Sequence, residues 1–235
     1  MSIYHLHIPR TSGIYIKNNV LPHLLSGGVE HFVSNRTEIK VDKLKKSKFV
    51  GGHFGLMPLD YMDNPSVFCL LRDPVERFIS NFKYILKMTN SIIDPYEEFD
   101  IWLNGEQSTV QSNVQSKFLT GKMNLSKFNQ RPTIFMNSLR NNWFIEDYAL
   151  DIKVIKNNIN FFNCYTMDNH NQFKKDLNEE LYKQFNFITF KRDYKSNESP
   201  KLNINITKKQ IDKIKELNYL DIEVYEYVRK IEKRH

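Results

Sequence analysis

The sequence predicts a three-layer α/β fold in which helices flank a central, mostly parallel sheet. Three observations carry that prediction. Residues 3–8 (IYHLHI) and 66–71 (SVFCLL) are short apolar runs of strand length, and the second is unbroken, the pattern of a central parallel strand covered on both faces. Each run is followed by a turn and then by helical spacing. With 235 residues, 40% of them hydrophobic, and with 17 Phe and 12 Tyr, the chain has the length and core material for a single domain spanning 1–235.

The elements follow in order. The first strand ends at Pro9, and the turn RTSG leads into a helix with Val20, Leu21 and Leu24 on one side, stopping near Ser26-Gly27-Gly28. Residues 48–50 read as a short strand meeting the loop GGHFG. After SVFCLL, Asp73 is an N-cap residue and Pro74 fits the first helical position. Val75, Phe78, Ile79, Phe82, Ile85 and Leu86 then form an amphipathic stripe.

Asp94-Pro95 opens another helix that stops at Gly105, and Val110, Val114 and Phe118 outline a further one closing at Gly121. NINFFNCYT (158–166) reads as a strand, followed by a helix through Phe173, Leu177, Leu181 and Phe185. Residues 190–206 lack periodicity and read as a long loop. Thr207-x-x-Gln210 is a capping-box pattern that opens a helix, and a last helix follows Asp221.

Composition excludes several classes. Cys69 and Cys164 each sit in an apolar run, so they read as buried free thiols rather than a disulfide framework or a metal cluster. The N-terminus lacks a basic region followed by a long apolar stretch, and no run approaches the roughly 18–20 apolar residues of a membrane span. The expectation is a soluble, cytoplasmic chain. A formal net charge of +7 favours anionic partners. No helix carries a continuous basic stripe and no single-strand binding motif occurs, so nucleic acid is not the expected partner.

In an open parallel sheet, ligands bind beyond the carboxyl ends of the strands. HIPRTSG, GGHFG and LLRDPVERFIS all arrive there. The first turn sets the backbone N–H groups of Thr11, Ser12, Gly13 and Ile14 at a helix N-terminus, where donors and the helix dipole suit a phosphate or sulfate, with Arg10 as a cation. The turn is not a Walker A sequence: no lysine is followed there by a hydroxyl residue for magnesium. A small kinase or nucleotidase on a similar fold would need that pair. Arg72, directly behind an apolar run, needs an anion nearby, whereas Arg77 reads as part of a surface helix.

HIPRTSG resembles the HxPKTGGTS turn, and LLRDPVERFIS the LRxPxxRxxS element, of the carbohydrate-type sulfotransferases that use 3′-phosphoadenosine-5′-phosphosulfate (PAPS). The heparan-sulfate and uronyl 2-O-sulfotransferases are the nearest group. GGHFG is similar to that family's GH-containing loop, NVQSKFLTG (113–121) to its NxQxxxLxG helix, and NYLDIEVYEYV (218–228) to its N-x-x-D-x-x-x-Y ending.

The resemblance implies a P-loop-like fold and transfer of a sulfuryl group to a hydroxyl, that of a carbohydrate by preference, leaving 3′,5′-adenosine bisphosphate (PAP) and using no metal. It also implies that Arg10, Thr11, Ser12, Gly13, Ile14 and Tyr15 bind the 5′-phosphosulfate, that Arg72 and Ser80 hold the 3′-phosphate, and that the loop around Ser196–Lys201 lies against the adenosine. His53 becomes the general base, since an imidazole with a pKa near 6.5 accepts an alcohol proton, and Arg10 supports the leaving phosphate. His7 matches a family position without a derivable role, and His5 reads as structural. Three departures mark the turn: Arg10 stands for lysine, Ser12 for glycine, and Ile14-Tyr15 for two hydroxyl residues.

Overall fold

The computed structural model describes residues 2–11, 13–33, 39–89, 95–129, 145–186 and 204–233. Five strands form one parallel sheet in the order β2-β3-β1-β4-β7: β1 (Ile3–Leu6), β2 (His31–Val33), β3 (Phe49–Gly52), β4 (Ser66–Leu71) and β7 (Asn163–Thr166). A short antiparallel pair, β5 (Lys122–Met123) and β6 (Ile145–Glu146), stands apart. β1 is central, registered Ile3 to Phe49 on one side and Ile3 to Ser66 on the other. The connection leaving β1 heads towards β2, while those leaving its neighbours β3 and β4 head the opposite way. That reversal opens a crevice at the carboxyl end of β1.

Strand alternation divides the core. Tyr4, Leu6, Val67, Cys69 and Leu71 face a layer made by α7 (Val114–Thr120), α9 (Ile152–Phe161) and α12 (Tyr219–Glu232), where they meet Phe118, Leu119, Ile155, Val224 and Tyr225. On the opposite face Ile3, Phe68 and Leu70 meet the helical run from α1 (Gly13–Tyr15) through a π-helical turn (Ile16–Val20) to α2 (Leu21–Ser26), together with α10 (His170–Phe185). β4 is unbroken in hydrophobicity because both of its faces and both of its edges are covered. Each fully buried Leu, Ile or Phe in these layers contributes about 1.5–3 kcal/mol.

α4 (Pro74–Thr89) buries its stripe against α5 (Pro95–Asn104) and α11 (Lys208–Leu217) through Phe78, Phe82, Phe99, Trp102 and Ile214. α5 begins at Pro95; Asp94, its expected cap, lies outside the described residues. α11 has the full capping box, with Thr207 and Gln210 satisfying each other's backbone groups. The remaining helices are α3 (Val41–Lys46), α6 (Glu106–Gln111) and α8 (Leu125–Asn129).

Two sequence expectations are corrected, and one strand goes unread in the sequence. NINFFNCYT is not one strand: residues through Phe161 complete α9, and only Asn163–Thr166 extend. Ile155 and Ile159 point inward at helical spacing, and tertiary burial outweighs the β propensity of that run. The single helix expected through Val110 and Phe118 is two, α6 and α7, broken where Asn113 adopts a left-handed conformation (φ 47°). The strand His31–Val33 carries too few residues to stand out by pattern.

Asn113 marks a junction. Its side-chain oxygen accepts from the N–H groups of Leu220 (3.1 Å) and Asp221 (3.2 Å), capping α12. In return Asp221 accepts from the N–H groups of Gln115 (3.0 Å) and Ser116 (2.8 Å) and from the Ser116 hydroxyl (2.6 Å), capping α7. Two helix N-termini thus satisfy each other's orphan donors.

Candidate functional site

The turn after β1 is closed by Thr11, which is fully buried. Its N–H (3.2 Å) and its hydroxyl (2.8 Å) both donate to the Ile8 carbonyl. Those two donors are therefore engaged in the turn. Arg10 before it takes a left-handed backbone, φ 73°, at a cost on the order of 1–3 kcal/mol for a residue with a side chain. The conformation sends the guanidinium across to α4, where Nε and Nη2 both donate to Ser80 Oγ at 3.2 Å and the group lies 4.8 Å from the centre of the Tyr84 ring.

No carboxylate among the described residues pairs with Arg10. Burial, and then the charge of Arg72, depress its pKa. Arg72 follows β4 directly. Its Nε reaches Glu76 Oε2 at 3.4 Å, a pair whose acid is largely exposed and which is worth at most about 1 kcal/mol. The backbone of Arg72 is held more firmly: its N–H donates to Gln115 Oε1 and its carbonyl accepts from Gln115 Nε2, each at 2.9 Å.

Arg77 reverses the sequence expectation. It is fully buried rather than on a surface helix. Nη2 donates to the Gln111 carbonyl at 2.8 Å, while Nε and Nη1 have no hydrogen-bond partner among the described residues. Burial pulls its pKa down to about 10, opposed by the nearby Asp221 carboxylate, so it stays cationic at neutral pH. The charge of Arg72 depresses both Arg10 and Arg77, and together the three make the carboxyl end of β1 and β4 strongly positive.

On the other side of β1, His53 leaves β3. Its Nδ1 lies 2.7 Å from the His7 carbonyl. A carbonyl only accepts, so Nδ1 carries the proton and Nε2 keeps its lone pair. The His53 ring stacks on His7, centroids 4.2 Å apart at 29°, and His7 stacks in turn on His5 at 5.4 Å. Burial lowers all three: His5 to about 3, its Nε2 without a partner among the described residues, His53 to about 4 despite its bond to the His7 carbonyl, and His7 well below its ordinary value. The value near 6.5 expected for His53 is thus corrected downward. It is a neutral base throughout the physiological range.

Gly13 is explained by the same column. A Cβ there would lie 2.0 Å from His7 Cε1, so the glycine makes room for the imidazole. Gly55 in the GGHFG loop has φ 56° and passes so close to Gly121 that a Cβ would lie 2.2 Å from the Gly121 carbonyl oxygen. Tyr15 turns away from the crevice, its ring edge-on to His170 and Phe173 and its hydroxyl 3.4 Å from Asn178 Oδ1. At the turn Tyr15 offers its backbone alone, as does the half-buried Ile14 with its aliphatic side chain.

Arg10, Gly13, Ile14, His53, Arg72 and Ser80 are therefore brought to one end of the sheet, while Ser12, Ser196 and Lys201 lie outside the described residues. Sequence reasoning missed Tyr84, Gln115 and the structural part played by His7. The alternation of His5 and His7 on one strand was the available signal for the histidine column. Among the described residues no group of three or more metal-ligating side chains is assembled, and no helix is long and apolar enough to cross a membrane.

Fold and site define an α/β protein with a cationic crevice and a neutral imidazole at the switch point of a five-stranded parallel sheet. The sequence matches no protein-family model and no curated protein. Among solved structures the chain is similar to the crystal structure of a sulfotransferase from Alicyclobacillus acidocaldarius, with a TM-score of 0.48 and 8% identity over 97% of this chain and 95% of that one.

Proposed function

We propose that the chain is a sulfotransferase that moves a sulfuryl group from PAPS to an acceptor hydroxyl, that of a carbohydrate by preference. The observation that carries this reading is Arg10. It adopts a left-handed backbone, has no carboxylate partner among the described residues, and contacts Ser80 beside Arg72 in a crevice that also receives His53. Such an arrangement suits a ligand with several anionic groups.

In this reading the helix-start N–H groups from Gly13 to Tyr15 and Arg10 receive the 5′-phosphosulfate. Arg72 and Ser80 receive the 3′-phosphate, and the segment around Ser196–Lys201 lies towards the adenosine. The acceptor oxygen attacks sulfur in line as the bond from sulfur to the bridging phosphate oxygen breaks. His53 Nε2 takes the acceptor's proton, and PAP leaves with its new charge facing Arg10. A pKa of about 4 makes free His53 a weak base. The negative charges of the donor, arriving nearby, raise it towards the range where proton uptake is effective.

Calorimetry with PAP, 5′-AMP as control and Arg72→Ala alongside tests the donor site. Micromolar binding that needs both the 3′-phosphate and Arg72 is the expected result, and equal affinity for PAP and AMP overturns the reading. Transfer assays with His53→Ala then separate chemistry from binding. The Tyr15 hydroxyl lies towards Asn178 rather than the turn, so a protein that binds PAP but transfers sulfate only weakly is the second reading, and slow turnover left unchanged by His53→Ala would select it.

A further inference from the structure

We propose that Gln115 is the positioning residue that aims Arg72, an inference that rests on the donor-site reading. Arg72 stands one residue beyond the last sheet register of β4, since the pairing with β7 ends at Leu71 and Thr166. Its peptide groups therefore have no neighbouring strand to bond. The carboxamide of Gln115, fully buried, supplies the missing rung: Oε1 accepts from the Arg72 N–H and Nε2 donates to the Arg72 carbonyl, both at 2.9 Å. This is the reciprocal pairing of one antiparallel rung, made by a side chain.

On the far side of Arg72, Pro74 restricts the backbone of Asp73 to extended conformations, and Asp73 Oδ1 caps α4 through the Glu76 N–H at 2.9 Å. Arg72 is thus fixed before and after, and its side chain leaves the backbone in one direction.

Gln115 is itself held. Its N–H donates to Asp221 Oδ2 at 3.0 Å, and the Asn113 N–H donates to Asn218 Oδ1 at 3.1 Å. NVQSKFLTG and NYLDIEVYEYV thereby act as one brace behind the guanidinium rather than as ligand contacts. Arg77 gives the brace its purpose: this buried cation repels Arg72, whose Nε already turns to the exposed Glu76 carboxylate at 3.4 Å, and a firmly held backbone keeps the guanidinium from swinging further into solvent.

The test is the ratio of affinities for PAP and AMP in Gln115→Met, which keeps the volume and removes both bonds, and in Gln115→Glu, which keeps the acceptor and loses the donor. Asn158→Ala is the control: it removes a comparable bond from Asn158 Nδ2 to the Leu119 carbonyl on the same helix, at 2.8 Å. Both Gln115 variants are expected to lose the preference for PAP by about tenfold, while AMP affinity and the Asn158→Ala ratio stay within about threefold of wild type. A Gln115 variant that folds and keeps the wild-type ratio, or an Asn158→Ala ratio that falls as far, overturns the positioning role alone. A wild-type protein with no preference for PAP overturns the donor reading, and this inference with it.

Discussion

The contact between Gly13 and the His7 imidazole leaves no room for a methyl group. Gly13→Ala is expected to displace the ring, cost about 1–3 kcal/mol of stability by overpacking, and weaken PAP binding, read by thermal denaturation and calorimetry. Acid is a second probe at this scale. Burial depresses His5, His7, His53 and His170, the last to about 4. Above the unfolded value near 6.5 neither state takes up a proton, and their stability contribution is fully present. Below it the unfolded chain binds protons that the native chain refuses, so stability falls from about pH 6.5 towards 4. Urea denaturation across that window should show the loss. His5→Phe, removing the most deeply buried of the four, should flatten the slope by up to about 1.4 kcal/mol per pH unit. A slope unchanged by that substitution contradicts the assignment.

At the scale of elements, the reciprocal caps of α7 and α12 bind the middle of the chain to its last helix. Asp221→Ala leaves three buried donors unpaired and is expected to cost about 3 kcal/mol or more by denaturant titration. Combined with Asn113→Ala the losses should be strongly less than additive, because each residue's cap needs the other helix in place. The sequence made the strand–turn–helix units at 3–26 and 66–89 legible, through unbroken apolar runs and the Asp73-Pro74 start. It also made legible that Arg10, His53, Arg72 and Ser80 belong to segments meeting at one sheet end. It did not separate the two roles among the matching segments. Gln115, Asn113 and Asp221 read as motif positions, but their partners lie up to 108 residues away, and only the folded chain shows that they bond to backbone. Arg77 was misjudged for a related reason: a charged residue on an amphipathic helix is usually solvated, and its burial depends on α6 closing over it.

Across the whole molecule the net charge of +7 and the clustered guanidiniums set a long-range field. Association with PAP should slow as salt is raised from about 0.05 to 0.5 M, because the Debye length shrinks several-fold over that range. Stopped-flow binding would read it, and a salt-independent on-rate would deny the field a part in capture. The five strands of the sheet, for their part, are complete once Thr166 is in place, and Asp221 lies 55 positions further along the chain. A nascent chain leaving the ribosome could therefore build its scaffold while the junction behind Arg72 still lacked its carboxylate. On the donor-site reading, a chain that has not yet reached Asp221 would carry Arg72 without its brace and is expected to hold PAP weakly, so half-made chains would sequester little donor or product.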